Sequence, residues 1–123
     1  MHHLLLVGLG SFAGGMLRYL VSQIVQSRST SAFPFGTLAV NIAGCFLIGI
    51  VFGLCEKGSM NQELRLFLAT GILGGFTTFS AFSHETFDLI RHQQVGYAIA
   101  YVAASVLIGV LVTFIGSYLA RAF

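Results

Sequence analysis

A chain of 123 residues that is 56% hydrophobic and 8% charged falls far short of the roughly one-quarter charged residues of a soluble domain. Its net charge of +2 comes from scattered residues, and no basic cluster exists that could track a phosphate backbone. A soluble protein and a nucleic-acid partner are both excluded, and a mean hydropathy of +0.89 directs the reading to a lipid bilayer.

Four apolar segments can be drawn, at residues 4–25, 35–55, 64–90 and 96–119. Each meets the requirement of about 20 residues for a bilayer-spanning helix. The connectors at 26–31, 56–63 and 91–95 are short and polar, and no internal repeat is evident. The expectation is an all-α membrane protein, one four-helix transmembrane domain over residues 1–123. Met1-His2-His3 carries no Lys or Arg, so the first segment reads as an uncleaved span rather than a signal peptide.

The first span carries Gly10 and Gly14, a small-xxx-small pair that lets helices approach closely. Arg18 lies inside the same span. Its simpler account is a guanidinium snorkelling to the interface; the alternative is a watery vestibule where it attracts anions. Pro34 precedes the second span, where its missing N–H costs nothing. Asn41 stands roughly two turns in, either as hydrogen-bonding glue to a neighbouring helix or as a donor to a pore. Gly49 and Gly53 repeat the close-packing spacing, and Cys45, Ile48 and Phe52 continue the Asn41 face. Cys45 and Cys55 would lie about 15 Å apart on one helix, beyond the roughly 7 Å reach of a disulfide. They are expected to be small buried residues.

The third span contains the least helical stretch, residues 71–85: Gly74 and Gly75 weaken a helix, and the β-branched Thr77 and Thr78 follow at once. Non-helical backbone survives in a membrane only where protein or a water-filled cavity surrounds it. Helices broken at mid-membrane are where transporters place ion sites, because freed carbonyls and helix ends face the ion. A break over residues 74–78 is therefore expected at the functional centre. Phe79 and Phe82 share a face on the resumed helix, with Ser80 and Ser83 in an adjacent row. The fourth span places Tyr97, Tyr101, Ser105, Gly109 and Thr113 at i, i+4 steps. Such a stripe is usually interhelical packing; beside a break and an aromatic pair it also reads as a pore wall.

The chemistry narrows the cargo. An amide, hydroxyls and phenyl rings, with Glu85 as the one acid, can donate to an anion, since a phenyl ring is electropositive at its edge. A cation path would want carbonyl rings or central carboxylates. Spare carbonyls at the break could hold one cation structurally. His84 beside Glu85 does not share a helix face with it, and no metal spacing, nucleophile elbow or phosphate loop supports an enzyme. Lys57, Arg65 and Arg121 stand on one side of the membrane, Arg28 and Arg91 on the other with Arg18 if it snorkels there. That is a difference of one or none, too small to fix one orientation. Copies inserted both ways can pair antiparallel around an in-plane two-fold axis.

The run Gly74-Gly75-Phe76-Thr77-Thr78-Phe79-Ser80-Ala81-Phe82-Ser83, with Asn41 and Arg18 upstream, resembles the CrcB/Fluc family of bacterial fluoride exporters over essentially the whole chain. The resemblance implies a dual-topology, antiparallel homodimer in the bacterial inner membrane, with two pores that pass F⁻ passively and selectively. It implies that Phe79, Phe82 and Asn41 line the pore, that Tyr101, Ser105 and Thr113 form a polar track, and that Glu85 is an acid close to the path. Ser80 belongs to the same wall. The carbonyls of Gly74 and Thr77 match a structural Na⁺ site at the dimer interface. Ala81 stands where the family usually has Thr. Two other readings are a small proton-coupled multidrug exporter, which would want a titratable carboxylate in its first span, and a structural subunit of a larger membrane complex.

Overall fold

The computed structural model describes residues 1–122, and Phe123, the last residue of the expected domain, lies outside the described residues. Helices α1 (His2–Ser27) and α2 (Phe35–Glu56) are continuous. The third span is assembled from pieces: α3 (Gln62–Arg65), a π-helical stretch Leu66–Leu73, α4 (Gly74–Phe76) and α5 (Phe79–Arg91). Helix α6 (Val95–Ala122) completes the chain. The described residues contain no strand. Four stretches, His2–Ser27, Phe35–Glu56, Gln62–Arg91 and Val95–Ala122, are long and apolar enough to cross a bilayer, and the chain is a multi-pass membrane protein. Large apolar side chains such as Leu5, Phe12, Leu107 and Phe114 face outward, the arrangement lipid requires and water penalises.

Local chemistry sets the boundaries. Asn61 opens the third span as its N-cap, its side chain accepting from the Leu64 N–H at 2.8 Å, one of the donors a helix start leaves unpaired. Through Leu66–Leu73 the helix widens, so that the Gly74 N–H reaches back five residues to the Ala69 carbonyl. Such π-helical turns are rare and gather at functional sites.

The break falls later than the glycines suggest. Gly74 is helical (φ −63°, ψ −37°), and the chain becomes extended at Thr77 (φ −86°, ψ 160°) and Thr78 (φ −150°, ψ 124°). Thr78 then caps α5, its Oγ1 accepting from the Ala81 N–H at 3.1 Å. The diglycine serves approach rather than rupture. A Cβ on Gly75 would lie 2.5 Å from the Ser11 carbonyl oxygen of α1, and one on Gly10 would lie 2.7 Å from that of Phe67. Backbones in this contact leave no room for side chains, which explains the small-residue spacing read from α1.

A sharp consequence attaches to Gly14, whose Cβ would collide with the Ile72 carbonyl oxygen, whereas one on Gly15 would meet nothing within 4 Å. Gly14→Val should cost about 3 kcal/mol through forced helix separation. Thermal unfolding in detergent should show a large fall for Gly14→Val and almost none for Gly15→Val; equal effects would contradict this packing.

Helices α2 and α6 form the most extensive pairing, again through glycine. Gly49 and Gly53 of α2 meet the Thr113 and Ser117 backbones, while Gly116 of α6 meets Phe46. The enclosed core at the other end of this seam is small: Leu89, Ala98 and Tyr101, with Phe33, Leu38 and Phe82 packed on it.

Candidate ion pathway

The third span breaks because its hydrogen bonds are diverted by side chains. In a continuous helix the Thr78 N–H would donate to the Gly74 carbonyl four residues back. Instead it donates to Asn41 Oδ1 at 2.9 Å, while Asn41 Nδ2 donates to the Thr78 carbonyl at 3.1 Å. The amide imitates a strand partner and satisfies both polar groups of the exposed backbone, and complementarity fixes which atom is oxygen. Of the two accounts open for Asn41, structural glue is therefore shown; one amide hydrogen remains beyond those two bonds.

Two further diversions complete the break. The Ala81 N–H, helical donor for the Thr77 carbonyl, is taken by Thr78 Oγ1. Arg18 Nε donates to the Gly75 carbonyl at 3.2 Å, supplying the bond that the Phe79 N–H would have made. Arg18 thus turns inward onto the break, a contact that neither account of it from the sequence included. It is drawn there by an orphaned carbonyl, and a part-buried cation gains more from an oxygen acceptor than an exposed one does. The carbonyls left without their helical donors include those of Gly74 and Thr77. Unwound carbonyls of this kind suit a hard cation such as Na⁺, and a full shell needs more oxygens than these two supply.

Phe79 and Phe82 follow on the first turn of α5, their ring centroids 5.7 Å apart and tilted by 46°. Phe82 leans on Tyr101 at 5.0 Å, whereas Phe79 is 77% exposed in the single chain. Both border a cavity of about 420 Å³, open on one side, whose wall also carries Asn41, Cys45, Thr78 and Ser105. Gly44 admits the Thr77 methyl to that wall, since a Cβ there would collide with it. Cys45 and Cys55 are both free, as their spacing implies, but half-buried rather than buried.

The expected polar track divides. Tyr101 is fully buried and donates to Glu85 Oε1 at 3.0 Å, while Thr37 donates to Glu85 Oε2 at 3.0 Å. The Glu85 carboxylate is thereby held by two neutral hydroxyls. Ser105 lines the cavity, and its Oγ is buried without a hydrogen-bond partner among the described residues. A lone buried hydroxyl costs free energy unless something reaches it. Thr113 is not in the wall of this cavity: its one hydroxyl hydrogen is shared between the Cys45 carbonyl at 3.1 Å and the Gly109 carbonyl at 2.9 Å, holding α6 on α2. Ser80 is exposed, 3.4 Å from Thr78 Oγ1, and also stands off the cavity wall.

Sequence reasoning missed three contributors. Thr37 carried a signal, because it stands one helical turn before Asn41 and shares its face. The π-helical stretch and Gln26, whose amide ties the 28–34 loop to the start of α2, carried none.

Known proteins match this chain along nearly its full length. A family model described as "CrcB-like protein, Camphor Resistance (CrcB)" matches residues 5–117. A protein of Rhizobium meliloti named "Fluoride-specific ion channel FluC" is 47% identical over 123 residues, covering 99% of this chain and 98% of its own. Proteins with the same name in a strain of Thermus thermophilus and in Phocaeicola vulgatus are 45% and 40% identical, covering 94% and 98% of this chain and 93% and 100% of theirs. A family model matching residues 5–117 and relatives matching this chain nearly end to end show that the chain belongs to the CrcB family.

Proposed function

We propose that this protein is a fluoride-selective channel that lets F⁻ leave the cytoplasm down its gradient, and that it is a channel rather than an enzyme. The observation that carries the reading is the cavity beside the Thr77–Thr78 break, lined by two phenyl rings, an amide and an unpartnered hydroxyl, with no ammonium or guanidinium in its wall. F⁻ is small and strongly hydrated, so passage requires donors that replace water without holding the ion. Ring edges of Phe79 and Phe82, the spare Asn41 hydrogen and the Ser105 hydroxyl supply several weak donors. A fixed cation in the cavity would bind too tightly, since conduction needs sites the ion can leave. Glu85, engaged by Thr37 and Tyr101, holds the path's far end in position, and the anion's approach would draw those hydroxyls from the carboxylate to itself. Arg18 lends positive potential at the break while its Nε remains bound to the backbone.

The working form is proposed to be an antiparallel homodimer in the bacterial inner membrane. Phe79 is 77% exposed and the cavity lacks one wall, and a second copy would cover both. The weak Lys and Arg bias supports insertion in both orientations. At such an interface the Gly74 and Thr77 carbonyls from two copies would present four oxygens, and a bound Na⁺ there would offset the charge of a nearby anion. The proton-coupled exporter reading finds no carboxylate in α1, and the curated relatives are named for fluoride. In a fluoride-sensitive bacterium lacking its own exporter, expression of this chain should restore growth in fluoride without conferring drug resistance. Drug resistance without fluoride resistance would overturn the proposal.

A further inference from the structure

Five aromatic rings run in file from the cavity to the α1–α2 connection. Phe79 meets Phe82 at 5.7 Å, Phe82 meets Tyr101 at 5.0 Å, Tyr101 meets Phe33 at 5.6 Å, and Phe33 meets Tyr97 at 5.7 Å. Phe33 is the odd member, because it comes from a connecting loop rather than a span. Its ring stands edge-to-face with both tyrosines, at interplanar angles of 80° and 83°, the arrangement aromatic quadrupoles favour.

The loop is built to hold that ring still. The Phe33 N–H donates to Ser31 Oγ at 3.1 Å, and Ser31 in turn donates its N–H to Ser29 Oγ at 3.2 Å. The Phe33 carbonyl accepts from Gln26 Nε2 at 3.3 Å, while Gln26 Oε1 accepts from the Gly36 N–H at 2.9 Å. Both polar groups of the Phe33 backbone are therefore engaged by side chains, and the buried Pro34 next to it removes one more degree of freedom. A loop whose only task was to join two helices would not need this. Tyr101, meanwhile, lies between Phe82 and Phe33, with its hydroxyl on Glu85.

We infer that Phe33 is a positioning residue for ion passage: by bracing the Tyr101 ring against Phe82, it keeps the Tyr101 hydroxyl on Glu85 where the path leaves the cavity. The ring never meets the ion; it acts through Tyr101. This rests on the fluoride-channel reading for its transport consequence, though the brace itself can be tested without transport.

In liposomes, Phe33→Leu should slow fluoride efflux about tenfold, the effect of mispositioning one hydrogen-bonding hydroxyl, and Phe33→Tyr, which restores a ring, should recover most of the rate. Phe33→Met serves beside Phe33→Leu as a second ringless variant in case one fails to assemble. Tyr101→Phe should slow efflux by itself, and adding Phe33→Leu to it should slow efflux no further, because the group Phe33 positions is already gone. Independent multiplication of the two effects, or wild-type efflux in the ringless variants, would overturn the proposal. The brace is also readable by fluorine NMR of protein carrying 3-fluorotyrosine. The Tyr101 resonance, assigned with Tyr101→Phe, should move on Glu85→Gln in the wild-type background and not in Phe33→Leu. A wild-type protein that passes no fluoride would sink the channel reading alone, while equal resonance shifts in both backgrounds would sink the brace alone.

Discussion

Replacing Phe79 and Phe82 together by isoleucine is expected to slow fluoride efflux at least about 100-fold while leaving the protein assembled. Isoleucine keeps the apolar bulk, so what disappears is the electropositive ring edge. If each edge contributes about 1.4 kcal/mol to the ion as it sheds water, the pair accounts for about two orders of magnitude. Assembly should survive for different reasons at the two positions. Phe79 is 77% exposed in the single chain and covers little, and Phe82 gives up one tilted contact with Tyr101. Efflux from liposomes, compared with the elution volume in detergent, separates the two effects. Undiminished efflux from the double variant would mean that the rings are ordinary packing.

The second large effect is expected at Asn41. Asn41→Ala strands the Thr78 N–H and carbonyl together, and each buried unsatisfied group costs about 1–3 kcal/mol. The melting temperature should fall by more than about 8 °C for a chain of this size, and conduction should be lost with the break's geometry. Asn41→Asp is the informative companion. Its carboxylate can still accept from the Thr78 N–H, but it repels the Thr78 carbonyl and places a negative charge on the cavity wall. It should retain more stability than Asn41→Ala yet pass fluoride no better. An Asn41→Ala protein that melts and conducts like the wild type would show that the break holds without the amide.

Much of this arrangement could be read from the chain, and the exceptions share a cause. The four spans followed from hydropathy because lipid imposes a single long-range requirement, and their observed ends lie within a few residues of those expected. The break was placed close to its true position, but for a partly wrong reason. Gly74 and Gly75 looked like helix breakers, as they would be in water, whereas here they are helical and Gly75 lies against α1. The rupture depends on Asn41, 37 residues from Thr78, and a hydrogen bond between distant segments leaves no local pattern. The Arg18 contact was hidden likewise: its partner, the Gly75 carbonyl, is free only because the helix is already broken. The i, i+4 stripe on α6 was correctly seen as a single face, yet that face changes partners along its length. Tyr101 meets Glu85 and Ser105 meets the cavity, but Gly109 and Thr113 meet α2. Periodicity identifies a face and is silent about its neighbour.

The proposed channel replaces fluoride's water shell with ring edges and neutral donors beside the Thr77–Thr78 break. Its most direct test is halide efflux from sodium-loaded liposomes of the purified protein, with fluoride and chloride measured on the same preparation. Rapid loss of fluoride with chloride retained is the predicted result; chloride leaving as readily as fluoride would contradict it.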